Sequence, residues 1–246
     1  MTHWKKTSVR TPEHPRTKGR RAAALAGGIL IVLLILFVAG YVLGDPVSLA
    51  WARHHAMDYA DEQWPGNNFT AVYAYNEMGY RYRVRVQSMT SQDTSFDVYL
   101  SWGVVRSTTY EEDVTGLNNT RVRIIEAARQ DMTTALQNAG MNPNLLDVLP
   151  GKDGEGAPED WGFTLDMAYD PGNLPPLTVR VYLIYNDRLP TEADANALLK
   201  NAKAAFDAAG LDIAYYRVDL MYPHGEKYEN DINLGPLTAA EVDALP

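Results

Sequence analysis

The hydrophobic pattern of the chain begins with an apolar run at residues 22–43 that contains no charged residue. At a helical rise of about 1.5 Å per residue this run is about 33 Å long, enough to cross a bilayer core of about 30 Å. No polar face interrupts it, unlike the helices that pack on a soluble core. The pattern therefore predicts a transmembrane helix over residues 22–43.

An amphipathic helix follows this run directly. Asp45 before Pro46 is typical of a helix start, with a side-chain cap and a proline in the first turn. The apolar stripe of this helix consists of Ala52, Ala56, Tyr59 and Ala60. Trp64-Pro65-Gly66 then predicts the end of the helix.

Apolar and polar residues next alternate with a period of two, which predicts β-strands. The alternating segments are residues 69–75, 80–87, 96–101 and 104–110. In the first segment, the period of two predicts one face that consists of Phe69, Ala71, Tyr73 and Tyr75. Short connections such as Trp102-Gly103 indicate a four-stranded antiparallel meander, covered on one face by the preceding helix. We assign this unit to residues 44–115.

Residues 116–246 predict a second, small α+β domain, which makes the whole chain α+β. Asn118 or Asn119 is expected to cap a helix that ends at Gly140. The stripe of that helix consists of Val122, Ile125, Ala128, Met132, Ala135 and Leu136.

After this helix, residues 141–160 contain several prolines, glycines and charges and are expected to form a loop. Strands are predicted at residues 162–168, 177–185 and 211–222. A helix between Thr191 and Gly210 predicts a crossover that joins parallel strands. The polar tail from residue 223 has a possible short helix at residues 238–244, and no internal repeat is evident.

Charge is distributed unevenly along the chain. Seven cations and one acid give residues 1–21 a net charge of +6, so the remaining chain carries −15 of the total of −9. A basic flank keeps its side of a membrane helix in the cytoplasm. We therefore expect a single-pass cell-membrane protein with a cytoplasmic tail at residues 1–21 and an extracytoplasmic head. Such an acidic head repels nucleic acid and anionic lipid headgroups, so we expect neither as a partner of the head.

The alternative to a retained anchor is a cleaved secretory signal. Small residues at 38–40 suit a signal peptidase, but the apolar region is longer than the ~7–15 residues of a signal sequence. The chain contains no cysteine. This excludes disulfides, thiolate metal sites, a cysteine nucleophile and a lipid-modified cysteine.

We recognise no catalytic motif and expect neither an enzyme nor a resident cofactor or metal. His54 and His55 are adjacent on a helix, where neighbours point about 100° apart and cannot bind one ion together. Four acids share one predicted loop: Asp153, Glu155, Glu159 and Asp160. Weak calcium binding stays open for this loop, although a solvated run of charges is the simpler interpretation.

Aromatic and basic residues are concentrated in the predicted meander. Half of the alternating positions should face away from the covering helix. The candidate interaction face consists of Tyr73, Tyr75, Arg81, Arg83, Arg85, Tyr99 and Trp102. Such a surface suits a peptide, a wall polymer or a partner domain. Packing against the C-terminal domain is the plainer alternative.

The first unit resembles the start of the YfjL-like proteins, which are small, uncharacterised membrane proteins of Gram-positive bacteria. The resemblance is carried by Gly44-Asp45-Pro46-Val47, by the stripe up to Tyr59 and by the aromatic-proline pair Trp64-Pro65. It is extensive over residues 44–110 and looser beyond them, where a C-terminal domain of that family is compatible. The resemblance implies a bacterial envelope protein and supplies no active site.

Together these observations predict a non-enzymatic, membrane-anchored binding or interaction module of the cell envelope, with an envelope protein or peptide as its partner. The helix-plus-meander layout is also similar to PepSY-type modules, so a modulator of a membrane or secreted peptidase is the alternative. A hydrolase is the third possibility.

Overall fold

We analysed a computed structural model of the 246-residue chain. The structure describes residues 18–43, 45–79, 81–156, 158–224 and 227–246. It contains five α-helices, two four-stranded sheets and two hydrophobic cores within these residues, which confirms the α+β class.

The first helix, α1 (Lys18–Leu43), contains the predicted apolar run. Residues Arg21–Val42 are long and apolar enough to cross a membrane, and none of this stretch is buried inside the protein. Its large apolar side chains, such as Leu30 and Ile35, are more than half exposed. The length and composition expected from the sequence are therefore confirmed.

The second helix, α2 (Pro46–Gln63), packs on the N-terminal sheet. The Ser48 N–H donates to Asp45 Oδ1 at 2.9 Å, so Asp45 is the predicted N-cap. Three alanines of α2, at positions 52, 56 and 60, are fully buried. Because their side chains are small, they let the helix backbone lie close to the sheet.

The N-terminal sheet is a meander of β1 (Phe69–Asn76), β2 (Arg81–Ser88), β3 (Ser95–Ser101) and β4 (Val104–Thr108), in that order and antiparallel throughout. This is the arrangement that the period of two predicts. Its core contains Val84, Phe96 and Leu100, with the α2 alanines above them.

A β-bulge in β1 changes one expectation. Ala71 pairs with Val86 and Tyr73 pairs with Arg85, so Val72 is the extra residue. An inserted residue reverses the alternation that follows it. Phe69 and Ala71 therefore face the core, whereas Tyr73 and Tyr75 lie on the opposite face. The uninterrupted period predicts all four on one face, so this prediction is wrong.

The C-terminal half contains α3 (Asn118–Asn138), β5 (Leu145–Pro150), β6 (Leu177–Ile184), α4 (Glu192–Ala208), β7 (Tyr215–His224), β8 (Lys227–Thr238) and α5 (Ala239–Asp243). The sheet order is β5-β6-β7-β8. β6 and β7 are parallel and are joined through α4, as predicted, while β5 and β8 are antiparallel outer strands.

Three features of this half differ from the prediction. The expected loop at residues 141–160 contains β5, whose short apolar run is flanked by Pro143 and Pro150 and so lacks a clear strand pattern. The expected strand at residues 162–168 is irregular, and Asp166 there has a φ of 58°. The polar tail contains β8, an edge strand that pairs only with β7 and can carry polar residues.

The start of α3 also differs from the prediction. Its N-cap position is Leu117 in a left-handed conformation, and Asn119 donates to the carbonyls of Asp93 and Ser95 instead. In this first part of α3 the buried residues are Thr120 and Ile124, whereas Val122 of the predicted stripe is 57% exposed. From Ala128 onward the predicted stripe is confirmed.

One local turn occurs twice in this half, although no repeat is evident in the sequence. Gly140 and Gly210, each with a positive φ, follow α3 and α4. The next residues, Met141 and Leu211, donate to the carbonyls of Leu136 and Phe206. Both helices therefore end in the same glycine-dependent turn, and each leads to a strand that starts a few residues later.

A buried carboxylate joins the two halves. Asp93, in the β2–β3 turn and 3% exposed, accepts hydrogen bonds from Arg123 Nε at 2.7 Å and Thr120 Oγ1 at 2.7 Å. The Asp93 N–H donates to Asp166, and Arg123 also donates to the Met167 carbonyl. Burial raises the pKa of the Asp93 carboxyl, but the hydrogen bonds from Arg123 and Thr120 outweigh it and leave the pKa below its ordinary value of 3.8.

Replacing Asp93 with Asn should lower the free energy of unfolding by about 2–3 kcal/mol, because the amide cannot pair with the Arg123 charge. Since folding lowers the Asp93 pKa, its stabilisation is present above the ordinary pKa and is lost as the pH falls through the folded-state value. Urea unfolding of the full chain in detergent micelles, followed from about pH 7 to about pH 3, measures this loss. Asp58→Asn, at an exposed position, is the control. Equal acid sensitivity in Asp93→Asn and the parent would contradict the assignment.

Candidate functional site: the tyrosine face of the N-terminal sheet

The face of the N-terminal sheet that α2 does not cover carries a small grid of tyrosines, arginines and a carboxylate. Strand register sets the grid: Tyr75 pairs with Arg83, and Arg83 pairs with Tyr99. One step along the strands, Tyr73 pairs with Arg85, which pairs with Asp97. We call this grid the tyrosine face, which consists of Tyr73, Tyr75, Arg83, Arg85, Asp97 and Tyr99.

Asp97 is the buried carboxylate that fixes the side chains of the tyrosine face. It is only 2% exposed and accepts hydrogen bonds from Arg83, whose Nε lies 2.8 Å from Oδ2. This pairing holds the Arg83 guanidinium 5.8 Å from the Tyr75 ring centre and 5.5 Å from that of Tyr99. The arginine is thereby fixed between two rings, where cation–π attraction adds to the ion pair.

Tyr73 and Tyr75 form the open part of the tyrosine face. Their ring centres are 6.0 Å apart at an interplanar angle of 22°, and each residue is 41% exposed. The Tyr73 hydroxyl lies 3.4 Å from Asp97 Oδ1, to which it donates. The two rings thus form a stacked, accessible pair that is held by the ion pair of Asp97 and Arg83.

The other end of the tyrosine face is closed by the helical turn Glu111–Thr115 and by the start of α3. Arg85 donates to Asp113 Oδ2 at 2.8 Å, to Ser95 Oγ at 2.9 Å and to Asn119 Oδ1 at 3.0 Å. The side chain of Arg85 is only 21% exposed. Packing against the C-terminal half, the plainer alternative, therefore accounts for the Arg85 end and leaves the Tyr73–Tyr75 end accessible.

Two of the predicted face residues lie elsewhere. Arg81 is on the same side of β2 but at the end of the strand, where its Nε donates to the Met78 carbonyl at 3.3 Å. Trp102 is in the β3–β4 turn and lines a cleft with Trp51 and Tyr82, on the α2 side of the sheet. The structure thus brings together five of the seven predicted residues, and their role as an interaction face stays a prediction.

Residues that the sequence reasoning did not select hold this site together. Asp97 alternates with Phe96 and Val98, so the period of two already placed it on the outer face. Asp113 and Asn119 had no such signal, because they reach Arg85 from 28 and 34 residues away in the sequence.

Burial changes the acidity of the phenols. It raises the pKa of Tyr73 above its ordinary value of 10.0, and the Asp97 carboxylate adds to this effect. Burial likewise raises the pKa of Tyr99, and the nearby Arg83 offsets only part of the rise. These two hydroxyls therefore stay neutral near pH 7, so the tyrosine face offers aromatic surface and neutral hydrogen-bonding groups.

The predicted acidic loop is not assembled as a calcium site. Asp153 forms an ion pair with Arg217 of β7, and its N–H donates to Thr178. Glu155 and Asp160 are exposed, while the Glu159 side chain is outside the described part of the chain. Across the described residues, no group of three or more His, Cys, Asp or Glu side chains is placed to hold a metal.

The remaining candidates are on the surface or belong to ion pairs. His54 lies 3.3 Å from Asp58, and the ring centre of His55 lies 4.1 Å from that of Trp51. On the C-terminal sheet, fully buried Asp219 pairs with Arg180, which extends the chain of charges from Arg217. These ion pairs run across the strands, but Asp219 Oδ1 and Arg217 Nε are buried there without a hydrogen-bond partner among the described residues.

Residues 20–113 match the sequence model of a family described as YfjL-like, N-terminal domain. The match begins within α1 and ends at Asp113, so it contains α2, the N-terminal sheet and the tyrosine face. The resemblance is confirmed over these residues, and its extension to the C-terminal half stays a prediction. No curated protein and no solved structure matches the chain.

Replacing Asp97 with Asn should lower the pKa of Tyr73, because the carboxylate that opposes phenolate formation is removed and Arg83 loses its partner. Phenolate absorbance is measured against pH in the parent and in Tyr73→Phe. The difference between the two curves is the titration curve of Tyr73. Asp131→Asn removes a carboxylate that contacts Tyr169 instead and should leave that curve in place. An unchanged Tyr73 curve in Asp97→Asn would show that Asp97 does not organise the face.

Proposed function

We propose that this protein is a single-pass membrane protein of the bacterial cell envelope, with an extracytoplasmic, non-enzymatic head that binds a peptide or protein partner through the tyrosine face. The observation that carries the binding role is the stacked pair of Tyr73 and Tyr75, accessible on one side and held on the other by Asp97 and Arg83. Stacked aromatic rings on a rigid base bind at a small cost in conformational entropy.

The membrane part of the proposal is supported by α1 and its flanks. The apolar stretch Arg21–Val42 leads almost directly into α2, which begins at Pro46. The basic residues before it favour a cytoplasmic tail, and the net charge of −15 after it suits an exported head. The Gram-positive origin comes from the family resemblance alone and is part of the same proposal.

Topology can be tested with single cysteines, because the chain has none of its own. Leu165→Cys is at a 44% exposed position in the head and should react with a membrane-impermeant maleimide on intact cells. Thr7→Cys, in the basic tail, should react only after lysis. Labelling in the reverse order would overturn the orientation, and recovery of the Leu165→Cys protein in the medium would overturn the retained anchor.

Binding can be tested with a photoreactive amino acid at position 75 of the full chain in intact cells. A discrete crosslinked product is expected there, and it should be lost when Tyr73 and Tyr99 are both changed to Ala. The same amino acid at Val122, a 57% exposed position on α3, is the matched control. Products that are identical from positions 75 and 122 would contradict the assigned face. A membrane peptidase as the product would favour the PepSY-type alternative, which the α2-on-meander layout supports.

A further inference from the structure

One end of the N-terminal unit differs in chemistry from the rest of its surface. Because a meander alternates its turns between two ends, the β1–β2 turn, with described residues 77–79, and the β3–β4 turn at Trp102-Gly103 lie at the same end. The β2–β3 turn at residues 89–94 lies at the opposite end. Trp51, in the second turn of α2, lies over Gly103, which places the start of α2 at the first end as well.

This end is connected to the last turn of α1. The Gly79 N–H donates to the Tyr41 carbonyl at 3.1 Å, and Asn76 Nδ2 donates to the same carbonyl at 3.2 Å. Tyr41 is two residues before the end of α1. The β1–β2 turn therefore lies beside the end of α1. These two hydrogen bonds join the sheet to α1 in addition to the covalent connection between α1 and α2.

Large apolar side chains are exposed at this end. We call them the apolar tip, which consists of Val47 at 78%, Trp51 at 43%, Met78 at 55%, Trp102 at 67% and Val104 at 53% exposed. Exposed apolar residues that gather at one end of a domain mark a contact surface. Two of the five are tryptophans, which prefer the boundary between lipid headgroups and acyl chains.

We propose that the apolar tip docks on the bilayer that α1 enters, with its side chains in the headgroup–acyl boundary of the outer leaflet. This inference rests on the proposed membrane anchor. Lipid is favoured as the occupant because the tip is continuous with α1, whose apolar side chains are exposed along its length. Exposed Arg81, at the same end, is suited to contact lipid phosphates.

Docking fixes the orientation of the head. With the turns at residues 77–79 and 102–103 on the membrane, the strands run away from it and Asp93 lies at the distal end. Since Asp93 joins the C-terminal half through Arg123 and Asp166, that half is held away from the lipid. The tyrosine face is then perpendicular to the membrane and open to a partner approaching from the side.

The test uses single cysteines labelled with bimane in the full chain, reconstituted in phosphatidylcholine vesicles with a minor fraction of phosphatidylglycerol. Labels at positions 78 and 104 should lose fluorescence when the acyl chains are brominated. A label at Met89, a 71% exposed residue in the opposite turn, should not. Equal fluorescence at positions 78, 104 and 89 in the two kinds of vesicle would overturn docking.

A label at position 35, inside the apolar run, separates failure of docking from failure of the anchor. Quenching at position 35 without quenching at positions 78 and 104 refutes the tip alone, whereas no quenching at position 35 refutes the anchor. Trp102→Asp should reduce the quenching at position 104, and Met89→Asp should not. A disulfide between two copies at position 104, with no quenching there, would assign the tip to a second copy and overturn the proposal.

Discussion

Two buried carboxylates, each paired with an arginine, fix the position of the N-terminal sheet and the side chains on its surface. Asp93 and Asp97 are almost completely removed from water, and an ionised carboxylate in such a place has to be paired. Asp93 meets this requirement with Arg123 of α3, and Asp97 meets it with Arg83 of the neighbouring strand. The first pair joins the two halves of the chain, and the second fixes the tyrosine face.

The two sides of the N-terminal sheet differ in composition and exposure. The side toward α2 is a conventional core, in which alanines of the helix lie on valine, phenylalanine and leucine of the strands. The other side is polar and is shared between α3 and solvent. Because Arg85 is covered by Asn119 and Asp113, the accessible area is confined to the end with Tyr73 and Tyr75. A small exposed area on a base of ion pairs is a rigid surface, and rigidity is what the proposed binding role requires.

The C-terminal half repeats the use of paired charges. Arg180 and Arg217 bracket fully buried Asp219 on the central parallel strands, and Asp153 covers Arg217 from the preceding loop. Of the acids that suggested a calcium loop, Asp153 is thus in an internal ion pair, whereas Glu155 and Asp160 are on the solvent-exposed surface. Their clustering in the sequence is not matched by convergence in space, because Asp153 lies against the sheet while Glu155 and Asp160 are exposed.

Features set by neighbouring residues could be predicted from the sequence alone. The apolar helix, the Asp45 cap, the meander and the glycine turn after α3 depend on residues that are close together in the sequence, and the structure contains each of them. Strand β5 was missed because its partner β6 is distant in the sequence. Strand β8 was missed because it is an edge strand rich in polar residues, although its partner β7 directly precedes it.

Only the tertiary structure decided how the predicted residues of the site are arranged and which partners hold them. The bulge at Val72 turns Tyr73 and Tyr75 outward, and no local pattern predicts it. The partners of Arg85 come from 28 and 34 residues away, so their contact depends on how the segment Glu111–Thr115 and α3 are placed against the sheet. Periodicity determines which residues form an element, whereas register and packing determine which side chains meet, because those contacts join residues far apart in the chain.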